Sequence, residues 1–185
     1  MNNCINYECQ DPIGDYTYND CGEELLAGIG GMVLLECGTQ LTDPSSASQI
    51  NAEISAGRAT LINGIKVGLD APTAVTVESN TVGATQKTAT YNRQGTLVDG
   101  NVNALNNEFY SKVFGGRQFG GAILYLTGTE DSAGGAKVLF VDAAINWTGG
   151  LPIKNNNDEN MTYQGVFTWR KKDMPTMHTA PTGIF

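Results

Sequence analysis

The clearest alternation of apolar and polar positions along the chain lies in residues 161–172. Large apolar side chains share one parity there, namely Met161, Tyr163, Phe167 and Trp169. Most residues of the other parity are polar. Because successive side chains of a strand point to opposite faces, this pattern predicts a strand with one buried and one solvated face.

Other β-prone runs, separated by turn residues, predict a chain that is rich in strands. Further strands are expected at residues 32–37, 75–77, 87–92, 122–128 and 136–149. The Asn63-Gly64 pair predicts a tight turn between two extended runs. Gly95 predicts a second turn, with a short extended piece after it.

Two segments carry helix signals instead. The first helix is predicted over residues 44–56, with Asp43 as its N-cap and Gly57 at its end. The second is predicted from an Asn103 cap to Gly115, and its apolar residues recur at helical spacing: Leu105, Phe109 and Val113. The first helix is short, so its stability is expected to come from packing against a sheet.

The order of these elements predicts an α+β protein dominated by strands. We expect an antiparallel β-sandwich or sheet with one or two flanking helices, forming a single domain over residues 25–172. Residues 1–24 consist largely of turn chemistry and are predicted to form an acidic N-terminal arm. Residues 173–185 contain two prolines, end in Ile184-Phe185, and are predicted to form an extended C-terminal arm.

Charge is distributed unevenly along the 185 residues. Residues 1–57 hold nine acidic and no basic side chains, so the net charge of −8 comes from this part of the chain. A net acidic chain argues against binding to nucleic-acid phosphates, which requires basic patches. The acidic stretch is interpreted either as a solvated arm or as a surface that complements neighbouring copies and repels passing DNA.

No targeting segment or membrane span is expected from the sequence. The N-terminus lacks the positive region and the apolar core of a signal peptide. The most apolar run, residues 25–35, is too short to cross a bilayer. These features predict a soluble protein that is made and assembled in a cytoplasm and has no membrane partner.

Two kinds of side chain invite a chemical role, cysteine and histidine. The cysteines are Cys4, Cys9, Cys21 and Cys37, and their spacing lacks the paired C-x2-C knuckles of most zinc sites. Zinc binding stays an alternative, but thiols without metal are favoured in a cytoplasm. The single histidine, His178, lies in the proline-containing tail, and no catalytic triad can be assembled around it. The sequence therefore predicts neither an enzyme nor a cofactor.

The stretch that begins at Asp99 resembles the start of a calcium loop, because Asp99, Asn101 and Asn103 alternate. It then departs from that pattern, with Ala104 where glycine is needed and Tyr110 where a bidentate glutamate is needed. The favoured interpretation is a turn rich in Asp and Asn that caps the following helix.

Arg170, Lys171 and Lys172 form the one cluster of basic residues in the sequence. One interpretation is a solvated strand end whose lysines discourage stray edge pairing. The other is a docking patch for an acidic surface such as the N-terminal arm, with its residues Asp11, Asp15 and Asp20. We predict these residues, together with the terminal Ile184 and Phe185, as a subunit interface.

A resemblance to phage virion proteins covers most of the chain. The runs CINYECQDPIGDYTYNDCGEE, GIGGMVLLECG and TDPSSASQINAEISAGRATLINGIKVGLDAPT resemble virion proteins of tailed phages that infect Bacteroidetes, including crAss-like phages. The later runs NNEFYSKVFGGRQFGGAILYL, KVLFVDAAINW and MTYQGVFTWRKKDMP are similar in their order to phage tail-tube and neck-ring proteins.

This resemblance implies a non-enzymatic virion protein that forms homo-oligomeric rings or a stacked tube in the tail or neck. The partners implied are copies of itself, other tail or neck proteins, and DNA in transit through an acidic lumen. The resemblance also implies that residues 173–185 lie on a neighbour, with Ile184 and Phe185 as anchors, and that the acidic arm meets the basic strand end of another copy. The alternative function is a capsid-associated decoration or head-fibre-base protein.

Overall fold

The computed structural model describes residues 28–78, 85–127, 135–153 and 161–185. These ranges contain two helices, α1 (Ala47–Ser55) and α2 (Ala104–Phe114). They also contain nine strands, which are β1 (Gly28–Glu36), β2 (Ala59–Leu69), β3 (Thr73–Glu78), β4 (Thr85–Asp99), β5 (Gln118–Thr127), β6 (Lys137–Val141), β7 (Ile145–Gly150), β8 (Tyr163–Lys171) and β9 (Thr176–Thr179).

Six antiparallel strands close into a small barrel. β1 pairs with β2 and β5, β2 with β4, β4 with β8, and β8 with β7. β7 completes the circuit by pairing with the start of β5 over two residue pairs. Outside the circuit, β6 and β9 extend the sheet from β5, and β3 pairs with β4 beyond the end of β2. The predicted fold class, α+β with a dominant antiparallel sheet, is confirmed.

The strand predicted over residues 161–172 is β8, and its alternation of buried and exposed positions is confirmed. Tyr163, Phe167 and Trp169 are buried in the barrel interior. The Phe167 ring lies 4.8 Å from the Trp147 ring and 5.7 Å from the Trp169 ring, measured between centroids. Aromatic side chains that bury this much apolar area dominate the stability of such a core.

The turn predicted at Gly95 is wrong, because β4 runs through this position as one strand of 15 residues. Gly95 faces the barrel interior opposite Phe167. A Cβ atom at Gly95 would overlap the Phe167 ring and would lie 2.9 Å from Leu69 Cδ2. The glycine is therefore required by the close approach of a neighbouring ring rather than by a turn.

The tight turn predicted at Asn63-Gly64 is also wrong, because β2 continues across it. Gly64 has a φ of 73°, and the pairing of β1 with β2 shifts register at this level. The result is a β-bulge, which changes the parity of the strand. Ile62 and Ile65 consequently both contact the barrel core, although they are separated by three positions.

The single strand predicted at residues 136–149 is divided into β6 and β7 by residues 142–144. β6 pairs with β5 and β9, whereas β7 pairs with β8 and the first residues of β5. At this break the chain passes from the sheet extension into the barrel circuit. Local strand propensity does not reveal such a break.

Helix α2 has the predicted bounds and cap. The Asn103 Oδ1 atom accepts a hydrogen bond of 2.9 Å from the Asn106 backbone N–H, as expected for an N-cap. Tyr110 and Val113 are the residues that the helix buries, whereas Leu105, predicted on its apolar face, is 80% exposed. The Phe114 ring fills the space that side chains at Gly149 and Gly165 would otherwise occupy, so this helix packs on β7 and β8.

Helix α1 begins three residues later than predicted, and its N-cap is Ser46 rather than Asp43. The Ser46 Oγ atom accepts from the Gln49 N–H, while Asp43 Oδ1 accepts from the Ser45 N–H at 2.8 Å in the turn before the helix. Asp43 therefore satisfies a local turn and leaves capping to the next small polar residue. Gly57, with a φ of 69°, follows the helix end as predicted.

Strands β1 and β5 are apolar and buried on both faces. Met32 and Leu34 of β1 face the barrel interior, whereas Val33 and Leu35 face a second, outer core. Ile50 of α1 covers this outer core, as predicted for the first helix, and so does the C-terminal Ile184. No helix in the described ranges is long and apolar enough to span a membrane.

The close fit of Gly95 under Phe167 yields a test of the barrel interior. We expect Gly95→Ala to lower the free energy of unfolding by about 1–3 kcal/mol, because the added methyl group overpacks the core. Gly150→Ala is the matched control, since a Cβ at this strand glycine meets no atom within 4 Å. Urea unfolding curves of the two variants measure the difference, and equal stabilities would contradict the interlock.

Candidate functional site

A large groove lies on the face of the sheet formed by β4, β8 and β7, and its volume is about 810 Å³. Its lining includes the outward-facing residues of these strands and of the connection after β2, which are mostly polar: Asp70, Asn92, Gln94, Asn146, Thr168 and Arg170. The strand register places Gln94, Thr168 and Asn146 side by side across the three strands. The alternation that fills the interior with aromatic rings thus produces a polar ladder outside.

Hydrogen bonds fix several of these groove side chains. Gln94 Nε2 donates to Asp70 Oδ2 at 3.0 Å, and Arg170 Nε donates to Asn92 Oδ1 at 2.8 Å. The single hydrogen bond of the Arg170 guanidinium within the described ranges uses Nε. Its two terminal amino groups are therefore exposed donors at the side of the groove, in the planar fork that suits a carboxylate.

Arg93 is 92% buried, and its parity with Gly95 and Leu97 places its side chain on the interior face of β4, opposite the polar face that forms the groove. Its Nε atom has no hydrogen-bond partner, and its Nη2 atom makes only a long bond of 3.5 Å to the Lys172 carbonyl oxygen. The guanidinium carbon lies 5.8 Å above the Tyr91 ring. No carboxylate of the described residues contacts Arg93. A buried guanidinium without a counter-ion is costly.

The predicted basic cluster does not form one patch. Lys171 Nζ donates to Asp142 at its carbonyl oxygen, 2.8 Å away, and at Oδ2, 3.2 Å away. Lys172 is exposed beyond the end of β8 and receives the Arg93 bond through its carbonyl. Among the three cluster residues, only Arg170 lines the groove. The alternation of strand side chains sends consecutive residues to opposite faces, which separates them.

Ile184 and Phe185 pack on the chain's own outer core, and their predicted part in a subunit interface stays a prediction. Ile184 is 6% exposed and packs in the cluster that contains Val33 and Ile50. The Phe185 ring stacks on Tyr125 with centroids 4.9 Å apart. Residues 173–185, predicted as an extended arm, contribute β9 and these two side chains to the domain.

Several predicted residues lie outside the described residues, namely Asp11, Asp15, Asp20, Cys4, Cys9 and Cys21. Cys37 is described, and it is an exposed thiol whose Sγ lies 3.3 Å from the Gln118 carbonyl oxygen. Within the described ranges, no group of three or more His, Cys, Asp or Glu residues could hold a metal ion.

The calcium-like stretch at Asp99 forms a helix-capping turn, as favoured from the sequence. Asp99 Oδ1 accepts a 2.7 Å bond from the Asn101 N–H, and Asn103 caps α2. The second carboxylate oxygen, Oδ2, accepts a 2.8 Å bond from the hydroxyl group of Tyr110. Tyr110, which breaks the calcium pattern, is therefore the internal partner of the buried Asp99.

The sequence analysis missed Arg93 as a buried cation. Arg93 has the same parity as Gly95, Leu97 and Asp99, and all four positions are buried. Reading one continuous strand through Gly95 would have placed Arg93 on the interior face. The predicted turn at Gly95 interrupted this parity and hid the signal.

The buried pair of Tyr110 and Asp99 gives a prediction for stability. Tyr110→Phe is expected to lower the free energy of unfolding by about 1–3 kcal/mol, because it leaves a buried carboxylate oxygen without its donor. Tyr91→Phe, at a ring that is 38% exposed, is the control, and we expect a change within about 0.5 kcal/mol. Urea unfolding near pH 7 measures both variants; equal losses would show that the hydrogen bond contributes nothing.

The same pair predicts a dependence on pH. Burial, followed by the bond to Asp99, raises the pKa of Tyr110 well above its ordinary value of about 10. Its contribution is therefore fully present below about pH 10 and is lost as the pH rises toward the folded-state pKa, because only the unfolded state then releases the proton. The stability advantage of the native protein over Tyr110→Phe is expected to shrink as the pH rises above about 10, and a constant advantage would contradict the assignment.

The position of Ile184 gives a further prediction. Ile184→Ala is expected to destabilise the isolated chain by about 2–5 kcal/mol, since it opens a cavity in the outer core. Ile153→Ala is a matched control, because Ile153 is 78% exposed. Thermal unfolding at low protein concentration distinguishes the two, and an unchanged midpoint for Ile184→Ala would contradict a stabilising role of Ile184 in the outer core.

Comparisons with known proteins add no relative to this geometry. No protein-family model, no curated protein and no solved structure matches the chain.

Proposed function

We propose that the protein is a non-enzymatic structural subunit of a tailed-phage virion, which assembles with copies of itself into a ring or stacked tube of the tail or neck. DNA would pass through the lumen of this assembly. The observation that carries the self-assembly is the open outer edge of β9. The place in a phage virion is supported by the resemblance of the sequence.

The backbone of β9 presents hydrogen-bonding groups to the outside at alternate residues. The Ala180 N–H donates to the Ala136 carbonyl oxygen at 2.7 Å, which makes this opposed pair a hydrogen-bonded one. In an antiparallel ladder such pairs alternate with pairs whose backbone groups point away from each other. The register pairs Met177 with Leu139 and Thr179 with Lys137. The N–H and C=O groups of Met177 and Thr179 therefore point outward.

Nothing in the described part of the chain covers this edge. β9 pairs with β6 alone there, and the Met177 side chain is 58% exposed. The strand itself, Thr176–Thr179, contains neither a lysine nor a proline, which are devices that usually protect an exposed edge. An exposed row of backbone groups of this kind is a template for strand addition from another chain.

The kind of assembly depends on which edge the partner offers. If β9 pairs with β9 of a second copy, the contact is isologous and closes as a dimer. If it pairs with a different edge, the contact is heterologous and propagates into a ring or a filament. β3 is a second described strand with a single partner, β4. The proposed ring or tube requires the heterologous arrangement.

Charge is consistent with a channel for DNA. The net charge of −8 opposes the adsorption of a polyanion, so an acidic lumen would let DNA slide without sticking. The first measurement is light scattering of the full-length protein after size-exclusion chromatography, with negative-stain images of the same peak. Rings or tubes are expected, and a strictly monomeric protein at high concentration would contradict self-assembly. A monomer that binds phage capsids would instead favour the decoration function.

The outward N–H of Met177 gives a sharper prediction. Met177→Pro is expected to reduce rings and tubes to monomers or small fragments, because it removes an outward donor while the bonds from β9 to β6 remain. Met177→Ala, which keeps the N–H and loses the side chain, is the matched control and should still assemble. Truncation after Lys172 is a poorer test, because it also removes Ile184 and Phe185 from the outer core.

Circular dichroism and the unfolding midpoint of Met177→Pro must match those of Met177→Ala for the comparison to hold. Assembly of the proline variant at the native level would exclude the β9 edge as the contact.

A further inference from the structure

We infer that β9 also pairs with β9 of a second copy, in one antiparallel register, and that the resulting two-fold dimer covers this edge before rings or tubes form. The inference rests on the proposed function in one respect, since both contacts use the outer edge of β9. A two-fold contact closes on itself, whereas a heterologous contact propagates. The dimer and the ring therefore compete for the same backbone groups.

The row of outward backbone donors on β9 is short, and a proline limits it on each side. The pairing with β6 turns the N–H groups of Met177 and Thr179 outward. The next residues of the same parity are Pro175 and Pro181. Because proline has no backbone N–H, the row between them consists of these two donors.

This row is complementary to itself when two copies lie antiparallel. Outward residues of one strand must oppose outward residues of the other, because only such pairs exchange hydrogen bonds. When Met177 opposes Thr179 of the second copy, and Thr179 opposes its Met177, each pair exchanges two N–H···O bonds within the two strands. A shift by two residues in either direction leaves one such pair and sets the remaining donors opposite Pro175 or Pro181, outside β9. The first register is therefore favoured.

The same register places His178 directly opposite His178 of the second copy. Such a pair exchanges no backbone hydrogen bonds, and its Cα atoms lie about 4.5 Å apart. Within its own copy, His178 is half-buried, and its ring centroid lies 6.4 Å from that of Phe140. Its Nε2 atom lies 2.8 Å from the Thr176 Oγ1 atom on the same face of the strand. The dimer thus sets the two imidazole rings side by side on one face of the joined sheet.

Area and charge make this dimer weak and reversible. A strand of four residues buries far less than the roughly 1,200–2,000 Å² of a stable interface. The net charge of −8 on each copy adds a general repulsion, although β9 itself, with the sequence TMHT, carries no acidic residue. A reversible dimer suits a temporary cover, since an assembly with more contacts displaces it.

The test is disulfide trapping of full-length His178→Cys, followed by tryptic digestion and mass spectrometry. Opposed residues in this register meet the Cα separation that a disulfide requires, about 4.4–6.8 Å. Cleavage after Lys172 releases residues 173–185, in which the native chain has no cysteine. A disulfide that joins two copies of this peptide therefore reports contact between two β9 strands and not the native thiols. We expect this product after mild oxidation at neutral pH.

The matched controls are Met177→Cys and Thr179→Cys on the same strand. In a dimer of either variant alone, the two new thiols are diagonal neighbours about 7–8 Å apart, which is beyond the reach of a disulfide. Neither variant alone should give the linked peptide. A mixture of the two should give the mixed disulfide, because these positions oppose each other. The mixture keeps His178 in place, so it decides the register even if His178→Cys does not fold.

Negative-stain images of the same samples separate this inference from the proposed function. Trapped His178→Cys dimers should form no rings or tubes, and reduction should release the edge and restore them. Rings or tubes without either disulfide would overturn the inference and leave the proposed function in place. Linked dimers that form no rings or tubes after reduction would support the inference and contradict the proposed function. Equal linkage in all three single variants would indicate random collision and would also overturn the inference.

Discussion

The double burial of β1 and β5 is the constraint on which the rest of the structure depends. Met32 and Leu34 need a barrel interior, while Val33 and Leu35 need a second cover outside. The barrel covers only the inner face of these strands. Helix α1 and the C-terminal residues therefore cover the outer face. Ile184 and Phe185 supply part of this cover.

The barrel interior depends on close approaches that only glycine permits. Gly95 accommodates the Phe167 ring, and Gly149 with Gly165 accommodates the Phe114 ring of α2. Aromatic rings therefore fill the space above glycines, both across neighbouring strands and between the helix and the sheet. Such packing fixes the register of β4, β8 and β7, because a slip by one residue would place side chains where the rings lie.

The surfaces proposed for function lie where this packing leaves polar groups unsatisfied. The barrel is closed, and the strand edge proposed for a partner lies on an element outside the circuit, β9. The groove on β4, β8 and β7 is a different surface, and it presents side chains rather than a backbone edge.

The sequence by itself determined the class of the fold, the alternation in β8, and the bounds and cap of α2. These features depend on local spacing of side chains, which a sequence displays directly. It also indicated the capping turn at Asp99, because the pattern fails as a calcium loop at Ala104 and Tyr110.

Only the tertiary structure decided the roles of Gly95, Gly64 and the C-terminal residues. A glycine in a sequence is compatible with a turn, a bulge or a close approach of a neighbouring side chain. The residues that distinguish these three cases lie far along the chain. Gly95 meets Phe167, and Gly64 shifts the parity of β2. Likewise, an apolar C-terminal segment can pack on several surfaces, and only the tertiary structure places Ile184 and Phe185 on the outer core beside Val33. The burial of Arg93 also depends on long-range pairing. Alternation divides the side chains of a strand into two sets, but only the elements that pack on the strand decide which set is buried.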